Sequence, residues 1–286
     1  MTQGPTEKTA ALEGFEGERI HVGFDKEMNY IDFLQLDKIL NAQKLWSGEH
    51  DEMLFMIIHQ AKELWMKLMV HELEAAFPYI RAGDLRPAFK MFARVKRIFD
   101  NLTQSWQILT TMTPSEYMRF RDKLARSSGF QSYQYRSIEF LLGNKNRGYL
   151  KPHDHRPDLV ALLTGLLERP SLYDEAVMLL ARKGFKIDKE CLERDWSEKR
   201  PENESVKQAW IEVYKDPKQY WDLYEFAESL VDIDDLFQTW RFRHRNTVER
   251  VIGMKRGTGG TSGVGYLAKA IEIRLFPELW AVRTEL

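Results

Sequence analysis

The chain has 286 residues, enough for one large domain or two small ones, and its 42 basic and 43 acidic side chains leave a formal net charge of -1. That balance gives no electrostatic reason to expect a nucleic acid or a membrane as partner, and no apolar run approaches the ~18 residues that a membrane span needs. A single cysteine, Cys191, excludes an intrachain disulfide and fits a reducing compartment, and the N-terminal M-T-Q-G-P-T-E-K does not resemble a signal peptide, so the expected location is cytoplasmic.

Runs of β-branched residues with a period of two are absent, while apolar residues recur at helical spacing between clusters of proline and glycine. The expected fold is all-α: a multi-helix domain with long core helices and a glycine-rich loop. Residues 1–25 are polar and glycine-containing and are expected to form a loose segment; residues 26–286 are expected to form one domain. A short amphipathic stretch carries Tyr30, Phe33, Leu34, Leu36 and Leu40.

The next helix is expected to start near His50, with Asp51 as its N-cap, and to end at Pro78 and Gly83. Its first turns, M-L-F-M-I-I-H-Q, are apolar nearly all round, and Phe55 and His59 lie four apart on one face. Residues 84–112 read as another long helix with Phe89, Phe92, Val95, Phe99, Leu102 and Trp106 on its apolar side. Thr113-Pro114-Ser115-Glu116 has the form of a capping box with proline in the first turn. The helix it opens sets Tyr117 and Arg121 at i and i+4, so a hydroxyl and a guanidinium fork can face one anion. Ser127-Ser128-Gly129 breaks that helix, and another resumes until Gly143. Shorter helices follow around Leu159–Leu167, Leu172–Arg182 and Val206–Tyr214.

From Pro217 to Gly253 no helix breaker occurs, and a helix over the whole stretch would span ~50 Å. Its seam reads Leu230, Ile233, Phe237, Trp240, His244, Val248, Val251, with a histidine in an otherwise apolar line. A core histidine is more commonly a hydrogen-bonded packing element than a ligand. Against that, Arg241, Arg243 and Arg245 crowd His244, and Lys255 and Arg256 follow, a concentration of charge that would suit an anion or solvent. The chain then enters K-R-G-T-G-G-T-S-G-V-G, with five glycines between Gly257 and Gly265. This loop lacks the phosphate-binding signature and follows a helix instead of a strand, so it reads either as a flexible connection or as backbone that approaches a ligand closely.

Six stretches, taken in order, resemble the tryptophan 2,3-dioxygenase family: H-D-E-M-L-F-M-I-I-H-Q, T-P-S-E-Y-M-R-F-R, S-S-G-F-Q-S, E-F-L-L-G-N-K-N, W-R-F-R-H and G-T-G-G-T-S-G-V-G-Y-L. The resemblance covers the chain from about Tyr30 to its end. It implies an all-α haem b protein, active with ferrous iron and assembled as a homotetramer. Such a protein inserts both atoms of dioxygen across the indole 2,3-bond of L-tryptophan to give N-formylkynurenine, opening the kynurenine pathway.

Residue by residue, the resemblance makes His244 the axial ligand of the haem iron, with Trp106, Ser128, Gly129 and Tyr117 near the cofactor. It makes His59 the distal, catalytic histidine that contacts the indole nitrogen, with Phe55 as its aromatic neighbour. Arg121 and Tyr117 would grip the substrate carboxylate, and Thr258 would hold the amino and carboxylate groups. Tyr30, Phe33 and Leu34 would wall the indole pocket of a neighbouring subunit; Phe33 stands where the family usually has tyrosine, keeping the ring and losing the hydroxyl. Two other readings are a looser indoleamine dioxygenase and a haem-binding sensor without turnover. The sensor would not need the Arg121, Tyr117 and Thr258 set.

Overall fold

The computed structural model describes residues 8–24 and 27–286, and among them helices dominate, with one two-stranded sheet. The all-α expectation holds. The chain divides into two compact units, Met1–Leu45 and Trp46–Leu286.

The first unit contains a short hairpin. Strands β1 (Thr9–Ala11) and β2 (Arg19–His21) pair antiparallel with Ala10 opposite Ile20, and Arg19 Nε donates to Thr9 Oγ1 at 3.0 Å. Helices α1 (Tyr30–Leu34) and α2 (Leu36–Leu40) are joined by Gln35 in the left-handed region at φ 53°. Asn29 caps α1 by accepting the Asp32 N–H at 3.0 Å. None of the residues of α1 and α2 is buried.

The second unit is built on α3 (His50–Ala82), α4 (Leu85–Leu109) and α11 (Trp221–Ile252). At 33 and 32 residues, α3 and α11 each extend for ~50 Å. Helix α3 begins after Glu49 without a side-chain cap, so Asp51 is not its N-cap. Instead the Glu52 carboxylate folds back to accept the N–H groups of Trp46 and Ser47, each at 2.8 Å. Nor does Pro78 end the helix. The missing donor costs about 3 kcal/mol, and burial of Phe77 and Ile80 on either side offsets it. Termination waits for Gly83 at φ 75°, where Asp84 N–H returns to the Tyr79 carbonyl at 3.0 Å.

Helices α4 and α11 run in the same direction and interlock through aromatic rings. Phe92 stacks on Phe226, Phe99 meets Phe237 at 5.2 Å between centroids, and Trp106 meets Trp240 at 5.7 Å. Phe92, Phe99 and Trp106 recur every seven residues, two helical turns, so one stripe of α4 supplies the ladder. The ladder leads from the core directly to His244.

Around this frame lie α5 (Pro114–Phe120), α6 (Tyr133–Leu142), α7 (Pro157–Leu167), α8 (Leu172–Arg182), α9 (Lys189–Leu192), α10 (Glu204–Lys215), α12 (Val264–Ile271) and α13 (Pro277–Glu285). Helix α6 packs on α3, α12 on α11, and α13 on α10. The capping box at Thr113 forms as expected, with Thr113 N–H bonded to Glu116 Oε2 at 2.7 Å. Yet α5 is short, and Arg121 opens a 3-10 turn, Arg121–Leu124, instead of continuing the helix.

Candidate active site

Helices α3, α4 and α11 converge on two histidines. His244 occupies its place in the seam of α11, between buried Trp240 and buried Val251, but its own ring is only half-buried. The Trp106 indole lies flat on the imidazole, with centroids 4.5 Å apart and planes 11° from parallel, and Trp240 stands at 5.4 Å. No hydrogen bond from the described residues reaches the His244 ring, so it is not the satisfied packing histidine that such a position ordinarily holds. Burial, then the charge of Lys62 and the proximity of His59, hold its pKa down to about 3. The imidazole is therefore neutral, and its lone pair is free.

His59 lies across from it on α3. Its Nδ1 sits 2.7 Å from the Phe55 carbonyl oxygen. A carbonyl can only accept, so Nδ1 carries the proton and Nε2 presents a lone pair. Burial, followed by Lys62, lowers the His59 pKa to about 4, against the opposing effect of that hydrogen bond. Phe55 packs at 4.2 Å from the His59 ring, 5.9 Å from Tyr117 and 5.6 Å from Phe120. One apolar wall thus connects the histidine to the polar end of the site.

That polar end is assembled by α5 with the turn that follows it, the turn at 127–128 and the glycine loop. Tyr117 is buried on α5 with Arg121 beside its hydroxyl; burial raises the phenol pKa and the guanidinium opposes the rise. Arg121 Nη2 donates to the Arg256 carbonyl at 2.8 Å, while its Nε is buried without a partner. The glycine loop folds onto the turn at 127–128: Thr258 Oγ1 donates to the Ser127 carbonyl at 2.5 Å. A Cβ on Gly259 would stand 2.6 Å from Ser128 Cβ, and one on Gly263 2.8 Å from the Lys255 carbonyl oxygen. Both glycines are therefore required by close backbone approach, and Gly263 also by its φ of +61°. Ser128 caps a short 3-10 turn, Gly129–Gln131.

Arg121, Ser128 and Thr258 are brought together in this way, and His59, Phe55, Trp106 and His244 form the adjoining apolar end. Tyr30, Phe33 and Leu34 lie in the first unit, on α1.

The arginines near His244 need a correction. Arg241 is buried and turns away toward the protein's own acceptors. Its Nη2 donates to Glu139 at 2.9 Å, its Nε to Tyr135 Oη at 3.1 Å, and its Nη1 to the Ala270 carbonyl at 3.1 Å, near the C-terminus of α12. Glu139 also receives Arg136 Nη1 at 2.5 Å and Asn144 Nδ2 at 2.9 Å. Arg245 pairs with Glu249 at 2.9 Å, and Arg243 is exposed. No external anion is needed to explain them. Instead, Arg241 ties α11 to α6 and to the end of α12, which fixes the helix that follows the glycine loop.

Sequence reasoning overlooked Lys62. It follows His59 by three positions, on the same face of α3, and its ammonium lies 2.8 Å from the centroid of the Trp106 ring. Burial alone lowers its pKa to about 6. The available signal was a charged residue in the Phe55, His59, Lys62, Met66 stripe.

The fold and site define a helical protein with a neutral, ligand-competent histidine stacked among aromatic rings. Among the described residues no group of three or more His, Cys, Asp or Glu could hold a bare metal ion, so the donor set suits a cofactor that brings its own. The family model described as Tryptophan 2,3-dioxygenase matches residues 16–286. A protein of Ralstonia nicotianae named tryptophan 2,3-dioxygenase 1 is 56% identical over 285 residues, covering 99% of this chain and 97% of that one. A tryptophan 2,3-dioxygenase of Ralstonia pickettii is 58% identical over 278 residues, covering 96% and 100%. One from a Bradyrhizobium strain is 58% identical over 271 residues, covering 95% and 96%. The chain belongs to the tryptophan 2,3-dioxygenase family.

Proposed function

We propose that the junction of α3, α4 and α11 holds haem b with His244 as axial ligand, and that L-tryptophan binds against His59, Phe55, Tyr117, Arg121 and Thr258. As a member of its family the chain is an oxidoreductase: the indole C2–C3 bond of L-tryptophan is cleaved, each carbon takes one oxygen atom of O2, and N-formylkynurenine results as the first step of tryptophan degradation. Members of the family use a haem cofactor.

The residues present suit that cofactor. A neutral imidazole without a hydrogen bond to it can donate its lone pair to iron, the flat Trp106 ring offers a stacking surface, and two buried donors, Lys62 Nζ and Trp106 Nε1, have no acceptor among the described residues. When bound, ferrous haem supplies the dioxygen chemistry. The protein's part is to place the indole. His59 Nε2, the free lone pair left by the Nδ1–Phe55 hydrogen bond, accepts the indole N–H. Arg121 and Tyr117 hold the carboxylate, and Thr258 adds a hydroxyl from the glycine loop. Fixing both ends of the amino acid limits the poses in which C2–C3 faces the cofactor. His59 serves as a positioning acceptor; the indole proton is too weakly acidic to require a base. Ser128 and Gly129 border the cofactor at the loop contact.

The observation that carries this reading is the unpartnered, neutral His244 stacked on Trp106. The test is to add L-tryptophan and air to ferrous protein and follow N-formylkynurenine absorbance, with His244→Ala as control. Product formation that is abolished together with the histidine-ligated spectrum supports the assignment. Unchanged haem content and ferrous spectrum in His244→Ala would refute it.

The assembly belongs to the same proposal: a cytoplasmic homotetramer in which Tyr30, Phe33 and Leu34 close the indole pocket of a neighbour. Tyr30 and Phe33 are each 72% exposed, and burying such side chains is worth ~1.5–3 kcal/mol each, which gives association a motive. Co-expressing a Tyr30→Ala/Phe33→Ala chain with an Arg121→Leu chain should restore activity above both parents. Mixed oligomers without recovered activity would show that the pocket is built within one chain.

A further inference from the structure

Lys62 is 4% exposed, and among the described residues its ammonium finds no hydrogen-bond partner. Its nitrogen, with up to three N–H donors, lies over the Trp106 ring at 2.8 Å from the centroid. The indole Nε1 of that same tryptophan is also buried and unpartnered. Two unmatched donors, one of them an amine that an anion beside it would hold in the charged form, thus meet within one contact of the proposed axial ligand. Cation–π attraction to a single ring recovers only part of what burying an ammonium costs. The Trp106 ring therefore does not account for placing a lysine here.

Among the described residues no other partner is offered. On α3, Glu52 takes the Trp46 and Ser47 backbone, Glu63 bonds to Ser132, Glu72 pairs with Arg94, and Glu74 with Arg169. On α11, Asp234 accepts the Leu275 N–H and the Trp280 indole, and Glu249 pairs with Arg245. From α4, Asp100 pairs with Arg97. The titratable groups acting with Lys62 at this junction are His59 and His244, and neither can supply negative charge. The missing partner is an anion that arrives with a ligand.

We infer that Lys62 is the cation that receives a carboxylate of the haem, with Trp106 Nε1 as a second donor. This inference rests on the haem reading above. It adds an anchor on α3 to the axial nitrogen on α11, so that the cofactor is held by two of the three core helices through different chemistry.

The test compares haem with its dimethyl ester, which keeps the ring and iron but cannot form the ion pair. Both are titrated into apoprotein, followed by tryptophan fluorescence and the Soret band, for the wild type, Lys62→Met and Lys62→Arg. The wild type should prefer haem over the ester by about ten- to a hundredfold, the worth of a charge-assisted hydrogen bond. Lys62→Met should lose most of that preference while keeping a histidine-ligated spectrum, and Lys62→Arg should retain it. A readout without haem separates this role from a structural one. Apo Lys62→Met should be at least as stable as the wild type, because it removes a buried amine that has no partner. A lysine kept only for its contact with Trp106 would leave the apo variant less stable. An unchanged preference in Lys62→Met, or a destabilised apo variant with unchanged preference, overturns the inference and leaves the His244 assignment standing. Failure of the wild type to bind either compound through His244 would overturn the haem reading itself, and this inference with it.

Discussion

The sharpest consequence of the site concerns Arg121. Its guanidinium has two roles in the geometry: Nη2 tethers the glycine loop through the Arg256 carbonyl at 2.8 Å, and the remaining donors, beside the Tyr117 hydroxyl, are available to a carboxylate. Arg121→Leu removes both. Truncating one partner of a buried, charge-assisted contact costs about 2–5 kcal/mol, and at ~1.4 kcal/mol per tenfold that is roughly a 30-fold to several-thousandfold fall in kcat/KM for L-tryptophan. The tether belongs to the protein alone, so its loss should affect every substrate alike. The carboxylate contact affects only substrates that carry one.

Tryptamine separates the two. The wild type should strongly prefer L-tryptophan to tryptamine, and Arg121→Leu should collapse that ratio while haem content and the ferrous spectrum stay as they were. Arg121→Lys should fall between, since an ammonium keeps the charge and loses the planar fork. Kinetics with both substrates on all three proteins decide the matter. If Arg121→Leu lowers both values of kcat/KM equally and preserves the ratio, Arg121 is a loop tether and the carboxylate is held elsewhere.

Two further substitutions test the frame around the site. Gly259→Ala forces a Cβ to within 2.6 Å of Ser128 Cβ, so the loop must lift from the turn; an overpacking cost of about 1–3 kcal/mol should appear as a raised KM with little change in haem affinity, and steady-state kinetics that match the wild type would contradict it. Glu139→Leu leaves Arg136 and Arg241 buried around a lost carboxylate and should destabilise the protein by about 3–5 kcal/mol in denaturant unfolding; a loss under about 1 kcal/mol would show that the other acceptors suffice.

Much of the helical frame was legible because it is local. The seam of α11 and the stripe of α4 are readable as periodicity, and the box at Thr113 as four adjacent residues. The misreadings arise where a local preference meets a competitor. Pro217 suits a first helical turn, yet α11 starts at Trp221. The Asp216 side chain accepts the Gln219 N–H at 3.1 Å, and its carbonyl accepts the Tyr220 N–H, also at 3.1 Å, so the proline is held in a turn. At Pro78 the reverse happens, and tertiary burial carries a helix through its breaker.

The charges around His244 could not be interpreted from the sequence. The partner of Arg241 lies 102 positions away at Glu139, a pairing that no local pattern reveals. The site itself was legible chiefly through resemblance. Spacing alone placed Tyr117 beside Arg121 and Phe55 beside His59, but nothing local brings Thr258 to Ser127 or Trp106 flat against His244.

The last prediction follows from the protonation of His59. The folded protein lowers its pKa from 6.5 to about 4, through burial first and Lys62 second. A histidine whose pKa is depressed on folding binds its proton in the unfolded chain at higher pH than in the native one. Its contribution to stability is therefore complete above about pH 6.5 and is lost as the pH falls toward 4. That interval is worth about 3 kcal/mol at ~1.36 kcal/mol per unit. His244, held down to about 3, and His153, lowered by burial first, act in the same direction, so apoprotein should weaken as the pH falls from 6.5 toward 4 with a slope to which all three histidines contribute. His59→Gln should remove one of them and flatten the curve measurably, as read from denaturant midpoints of the apoprotein at several pH values. The same proton bears on substrate binding. Once His59 is charged, both ring nitrogens are donors, and Nε2–H faces the indole N–H that it should have accepted. The KM for L-tryptophan should therefore rise as the pH approaches 4 in the wild type and not in His59→Gln, whose amide oxygen accepts at any pH. Parallel KM profiles for the two proteins would mean that His59 does not receive the indole proton donor.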